Sequence, residues 1–264
     1  MKIEILGVEI DDLEGKKILS LIKERTEEGK KTFIATPNPE MLILALKDKG
    51  FKDILNGADI KIPDGYGLKI GAKILGKKLN ARLTGTDLMG ELCGFSAERG
   101  LGVYLLGGWQ NTARMAAENL KNKYSGLKIC GAESGGKMPA RQSPDGSSRM
   151  AGGEDWDNRV IIEHINAVKP EILFVALGHG RQEKWIYENF EKLPSVKLAM
   201  GVGGAFDFFA GRIRRAPKLL RSVGLEWLWR LILEPRRYGR ILNAVLVFPY
   251  LCWREKLKIQ RKIR

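Results

Sequence analysis

Five clusters of glycine and polar residues each follow directly on a short apolar run, and they hold most of the side chains able to do chemistry. FIA leads into Thr36-Pro37-Asn38-Pro39-Glu40, and IKI into Pro63-Asp64-Gly65-Tyr66-Gly67. VYLL leads into Gly107-Gly108-Trp109, and LFVA into Leu177-Gly178-His179-Gly180-Arg181-Gln182-Glu183. LAM leads into Gly201-Val202-Gly203-Gly204-Ala205. Any one of these is an ordinary turn signal. In an open parallel sheet, however, ligands bind outside the carboxyl ends of the strands. Five such loops would line one crevice there, and together they favour a nucleotide or phosphate ligand.

Asp64, between Pro63 and Gly65, reads in two ways. Asp-Gly is a common turn, whereas a carboxylate at a strand end can serve as a general base. Gly201-x-Gly203-Gly204 also has two readings: a cradle whose backbone N–H groups approach an anion, or a tight turn before Phe206-Asp207-Phe208-Phe209. No strand-to-glycine turn carries a full G-x-G-x-x-G opening a helix with an acidic residue about 20 positions on, which argues against a dinucleotide site. Asp155-Trp156-Asp157 matches a metal-holding D-x-D, but Asp155 or Asp157 reads better as the N-cap of a following helix. No metal set and no cofactor is assigned. His179 sits at a strand end as polar lining, and His164 falls inside a helix.

The elements that must position these groups alternate. Strands are expected over 2–8, 32–35, 59–62, 102–106, 127–130, 172–177 and 196–202. Helices are expected over 14–28, 39–47, 66–75, 87–98, 111–123, 156–168 and 182–191. Strands alternating with helices of 10 to 15 residues indicate βαβ units, so the fold class is α/β with a mostly parallel, Rossmann-like sheet and helices on both faces. Residues 132–155 are rich in Gly, Ser and Pro with almost no apolar side chains, and read as a flexible insertion.

Charge is distributed unevenly. The chain of 264 residues has a net charge of +14, and residues 212–264 hold 15 Lys and Arg against 3 acidic groups. Residues 1–210 therefore read as a near-neutral α/β body and 211–264 as a basic, apolar appendage. Its composition, with Leu219, Leu220, Val223, Leu225 and Leu228 at helical spacing and KLKIQRKIR at the end, suits a helix lying in an anionic membrane interface. Nucleic acid remains open on charge alone, but the aromatics sit among Leu, Ile and Val rather than on a polar stacking platform. The longest apolar run, 241–252, contains Asn243 and Pro249 and falls short of the roughly 20 residues a spanning helix needs. The N-terminal residues do not read as a signal peptide. Three scattered cysteines, Cys93, Cys130 and Cys252, fit a reducing compartment. The expectation is a cytoplasmic protein held peripherally on the inner face of the cell membrane. Self-association could mask the apolar tail in water.

Six ordered stretches carry a family likeness: TPNPEM (36–41), PDGYG (63–67), RLTGTDLM (82–89), LGHGRQEKWI (177–186), GVGGAFDFFAGRIRRAP (201–217) and GLEWLWRLILEPRRYGR (224–240). With these the chain resembles the WecG/TagA/CpsF family of bacterial glycosyltransferases (family twenty-six). The resemblance implies a Rossmann-like body with a C-terminal appendage that meets the membrane. It also implies transfer of a sugar, typically N-acetylmannosamine, from a UDP donor to undecaprenyl-diphosphate-linked N-acetylglucosamine. The product is a β-linked disaccharide of teichoic-acid-type polymer synthesis, made without a required metal. Carried over by position, Asp64 is the base and Thr36 stands beside it in the chemistry. Asn38, Arg82, Gly107, Gln182, Gly203 and Gly204 meet the donor, and Arg214, Arg215 and Arg221 clamp the acceptor diphosphate. Two departures stand out: Gly180 occupies a position where the family usually has Pro, and 132–155 is longer than the usual connection. Inversion needs in-line attack opposite the leaving UDP, so one base and a diphosphate stabiliser suffice. Alternatives are another UDP-sugar, such as UDP-N-acetylmannosaminuronic acid or UDP-glucose, and, more remotely, a non-catalytic nucleic-acid-binding protein.

Overall fold

The computed structural model describes residues 2–80, 83–134, 157–217, 219–220, 224–235 and 238–263. Arg82, Arg221, Asp155 and all of the 132–155 insertion beyond residue 134 lie outside the described residues.

The expected strand over 2–8 is instead half of a hairpin. β1 (Lys2–Ile5) and β2 (Val8–Asp11) pair antiparallel, with Ile5 opposite Val8, and form a separate two-stranded sheet. The apolar alternation slips by one residue at the reversal, so that Ile3 and Ile5 of one strand and Val8 and Ile10 of the other are all buried. Leu6 and Gly7, both at positive φ, turn the chain.

The main sheet has six strands in the order β4-β3-β8-β7-β5-β6. These are β3 (Thr32–Ala35), β4 (Ile60–Lys61), β5 (Gly102–Gly107), β6 (Lys128–Glu133), β7 (Ile172–Ala176) and β8 (Leu198–Gly201). β3 with β8, β8 with β7, β7 with β5 and β5 with β6 are parallel. Every residue of β3, β5, β7 and β8 is buried. That is why TFIA, ILFVA and LAMG read as unbroken apolar runs: a parallel strand is covered on both faces. The helices that cover it are α1 (Gly15–Glu27), α2 (Pro39–Lys47), α3 (Lys49–Gly57), α4 (Tyr66–Ile74), α5 (Gly85–Arg99), α6 (Thr112–Lys123), α7 (Asn158–Val168), α8 (Arg181–Asn189) and α9 (Ala205–Phe209). α3 was not expected. The Asp48 side chain caps it by accepting from the Phe51 N–H at 3.0 Å, and Phe51, Ile54 and Leu55 form its buried face. α7 starts at Asn158 rather than 156, and Asp157, one of the two expected N-caps, accepts from the Arg159 N–H at 2.8 Å.

By contact the chain forms two compact units. The first comprises Met1–Ile18, Ala35–Thr84 and Arg215–Arg264, and the second Leu19–Ile34 and Gly85–Arg214. The C-terminal residues from Arg215 onward fall within the first unit. They continue as α10 (Glu226–Leu233), α11 (Tyr238–Leu242), a π-helical turn (Asn243–Val247) and α12 (Phe248–Ile263). Phe248 and Cys252 are fully buried and lie over Gly71 of α4. Arg240 of α11 grips Glu40 of α2 through both carboxylate oxygens, at 2.6 to 3.1 Å.

Candidate functional site

In the first unit the ends of β3 and β4 carry a cluster of predicted residues. The backbone ladder runs past both strands: the Ile62 N–H donates to the Ala35 carbonyl at 2.9 Å, and the Asp64 N–H to the Pro37 carbonyl at 2.8 Å. Asp64 is thereby fixed beside Thr36, Pro37 and Asn38, half-buried, with its position set by backbone rather than by a flexible loop. Thr36 is 5% exposed. Asn38 caps α2, its Oδ1 accepting from the Met41 N–H at 3.0 Å. Pro39 packs so closely on Gly67 that a Cβ there would stand 2.6 Å from the Pro39 Cγ. The TPNP and PDGYG stretches are thus two halves of one packed corner. Arg215 lies in the same unit, with Nη2 donating to Thr84 Oγ1 at 3.3 Å and Nε 3.7 Å from a Glu226 carboxylate oxygen.

In the second unit the loops after β7 and β8 are joined through α8. Gln182 is 3% exposed, and both ends of its amide are taken up inside the protein. Its Nε2 donates to Glu183 Oε1 at 2.7 Å, and its Oε1 accepts from the Gly203 N–H at 3.0 Å. Gln182 therefore braces the 201–204 loop. The Gly203 N–H, one of the expected phosphate donors, is committed to that brace. Gly204 precedes the short α9. Gly107, expected to approach the donor, has a closer reason to be glycine: a Cβ would sit 2.6 Å from the Ala176 carbonyl of the neighbouring strand. Arg214 is exposed at the end of this unit.

Glu183 was not among the expected site residues. It is fully buried, and its Oε2 accepts from the Gly180 N–H at 2.7 Å. Burial pushes its carboxyl up to about 7, against the hydrogen bonds from Gln182 and Gly180, which hold it down. β7 and β8 bring only apolar residues and glycine against it. The ionisable groups of the elements around it are Arg181, Lys184, Tyr187 and Glu188 on α8, with His179 before it and Glu191 and Lys192 after it. A signal existed in the sequence: an acidic residue at the third helical position reaches back to the N–H that precedes the helix.

A family model described as the Glycosyl transferase WecG/TagA/CpsF family matches residues 3–262. An N-acetylglucosaminyldiphosphoundecaprenol N-acetyl-beta-D-mannosaminyltransferase of Bacillus subtilis (strain 168) is 30% identical over 210 residues, which is 80% of this chain and 75% of that protein. A protein of the same name from Staphylococcus aureus (strain MRSA252) is 28% identical over 262 residues, 98% of this chain and 95% of that one. A match that runs through every strand of the sheet, the Asp64 corner and the C-terminal helices leaves one conclusion: the chain belongs to the WecG/TagA/CpsF family of glycosyl transferases.

Proposed function

We propose that this enzyme transfers N-acetylmannosamine from UDP-N-acetylmannosamine to N-acetylglucosamine carried on undecaprenyl diphosphate, with inversion, in the synthesis of a teichoic-acid-type surface polymer. The observation that carries the reading is the match over residues 3–262 together with relatives named for that transfer. The Asp64 corner supports it chemically. A half-buried carboxylate held by backbone hydrogen bonds beside Thr36 and Asn38 is suited to take the proton from an attacking sugar hydroxyl. Arg214, Arg215 and Arg221 supply guanidinium groups for the acceptor diphosphate, whose oxygens they match in pairs. A diphosphate arriving at Arg215 would take the place of the Glu226 carboxylate.

The C-terminal residues support attachment to an anionic membrane surface. Ile232 is 65% exposed and Leu246 61%, and Tyr238, Tyr250 and Trp253 are also exposed, interleaved with Arg and Lys. No helix among the described residues is long and apolar enough to cross a membrane, so the attachment proposed is peripheral. The test is release of UDP from UDP-N-acetylmannosamine with a short-chain lipid-linked acceptor, EDTA present, alongside a panel of other UDP-sugars. Asp64→Ala should lower turnover by about 100-fold or more, as expected for loss of a general base. Absence of turnover with every UDP-sugar would sink the reading.

A further inference from the structure

Gln182 and Glu183, in the first turn of α8, meet Gly201 at the end of β8 with no room to spare. Gln182 and Glu183 are 3% and 0% exposed. A Cβ on Gly201 would lie 2.7 Å from Gln182 Nε2 and 2.8 Å from Glu183 Oε1, so the end of β8 runs directly against this pair. The hydrogen bonds form a chain: Gly203 N–H to Gln182 Oε1, Gln182 Nε2 to Glu183 Oε1, and Gly180 N–H to Glu183 Oε2. Direction matters in such a chain. A carboxylate is the one common side chain that accepts at both oxygens and offers no proton. With Glu183 ionised, Gln182 must turn its NH2 toward Glu183, and so must present its oxygen to Gly203.

We propose that Glu183 is a positioning residue for the transfer reaction, fixing the orientation of the Gln182 amide and, through it, the 201–204 loop after the last-paired strand β8. The inference rests on the reading of the chain as a UDP-sugar transferase whose donor meets that loop. Glu183 itself touches no substrate. Its role is to make one of the two amide orientations of Gln182 the only one allowed. An isosteric amide at 183 sets an NH2 group against either the Gly180 N–H or the Gln182 NH2. Relief comes when Gln182 turns over, and its NH2 then faces the Gly203 N–H, which loses its acceptor.

The test compares the full chain with Glu183→Gln, Gln182→Ala and the double variant. Glu183→Gln keeps shape and removes a buried charge, so a purely structural role predicts an unchanged donor KM in a protein that folds. Positioning predicts a donor KM raised about tenfold, the worth of one charge-assisted hydrogen bond. It also predicts that the double variant is no worse than the poorer single one, because both act through the same amide. Hydrogen exchange at the Gly203 N–H is read in parallel and is independent of activity: it should quicken about tenfold in Glu183→Gln. If the wild-type chain turns over no UDP-sugar, the functional reading fails while the exchange result still judges the brace. Wild-type KM and wild-type Gly203 exchange in Glu183→Gln would overturn the inference. Should that variant not fold, Glu183→Asp decides: a carboxylate withdrawn by one methylene no longer reaches the Gln182 amide, so exchange at the Gly203 N–H should quicken about tenfold, and wild-type exchange in that variant overturns the proposal.

Discussion

Glu183 is a carboxyl whose surroundings oppose its charge, and that has a consequence for stability apart from any role in turnover. Its ordinary value of 4.5 rises to about 7 on folding, with burial the main cause. The folded state then holds a proton that the unfolded chain has released between those values. The associated stability is complete below about pH 4.5 and is lost as pH rises through about 7, a loss of about 3 kcal/mol. Glu183→Gln has no such titration. Urea denaturation of both proteins at about pH 5 and pH 8 should show the variant gaining on wild type at the higher pH by an amount of that order. An equal difference at both values would mean that the buried carboxyl does not ionise in this range. Asp64 could be picked out of the sequence because Pro-Asp-Gly after an apolar run is a strong local signal. Glu183 carried only the signal of a helix-capping acid, because its distinction is burial, and burial comes from the packing of α8 against β7 and β8. Gly107 and Gln182 were singled out for a donor, yet the contacts found are with Ala176 in one case and with Glu183 and Gly203 in the other.

At the scale of elements, the strands that were read most accurately are the ones covered on both faces. β3 and β7 stand out as uninterrupted apolar runs with polar residues at their ends, and α2 was read residue for residue because Asn38 and Pro39 mark its start. The hairpin was missed because apolar Leu6 sits in its turn and the change of phase between Ile5 and Val8 is only one residue. α3 was missed because Gly50 and Gly57 sit inside its bounds and outweigh a capped start. The docking of α12 on α4 is another tertiary fact that local pattern does not carry. A Cβ on Gly71 would stand 2.6 Å from Phe248 Cε1 and 3.0 Å from Cys252 Sγ, and both neighbours are fully buried. Gly71→Ala should therefore cost about 1–3 kcal/mol by overpacking, seen as a lower thermal midpoint. Phe248→Leu in the same chain should recover part of that cost by making room. Recovery would identify the helix contact as the source, and a midpoint unchanged by Gly71→Ala would mean that α12 does not sit on α4.

For the molecule as a whole, the separation of charge is the feature most open to experiment. Residues 212–264 account for nearly all of the net +14, and in the first unit they also leave Ile232, Leu246, Tyr250 and Trp253 in contact with water. Removing the whole segment would be a poor test of membrane attachment, since it would also uncover α4 and break the Arg240–Glu40 pair. Substitutions confined to exposed side chains separate the two effects. Each Lys or Arg near an anionic leaflet contributes about 1 kcal/mol, and raising salt from about 0.15 to 1 M shortens the screening length from about 8 to 3 Å. Retention on anionic vesicles should therefore fall as salt rises. It should not vanish, because buried apolar rings are indifferent to ionic strength. Replacing Leu246 and Trp253 by Glu removes that residue of binding and should abolish retention at high salt while leaving the thermal midpoint in place, as neither side chain is buried. Sedimentation with vesicles of anionic and of neutral lipid reads all of these arms. Equal retention on both lipids, unaffected by salt or by the two substitutions, would exclude the C-terminal face as the attachment surface.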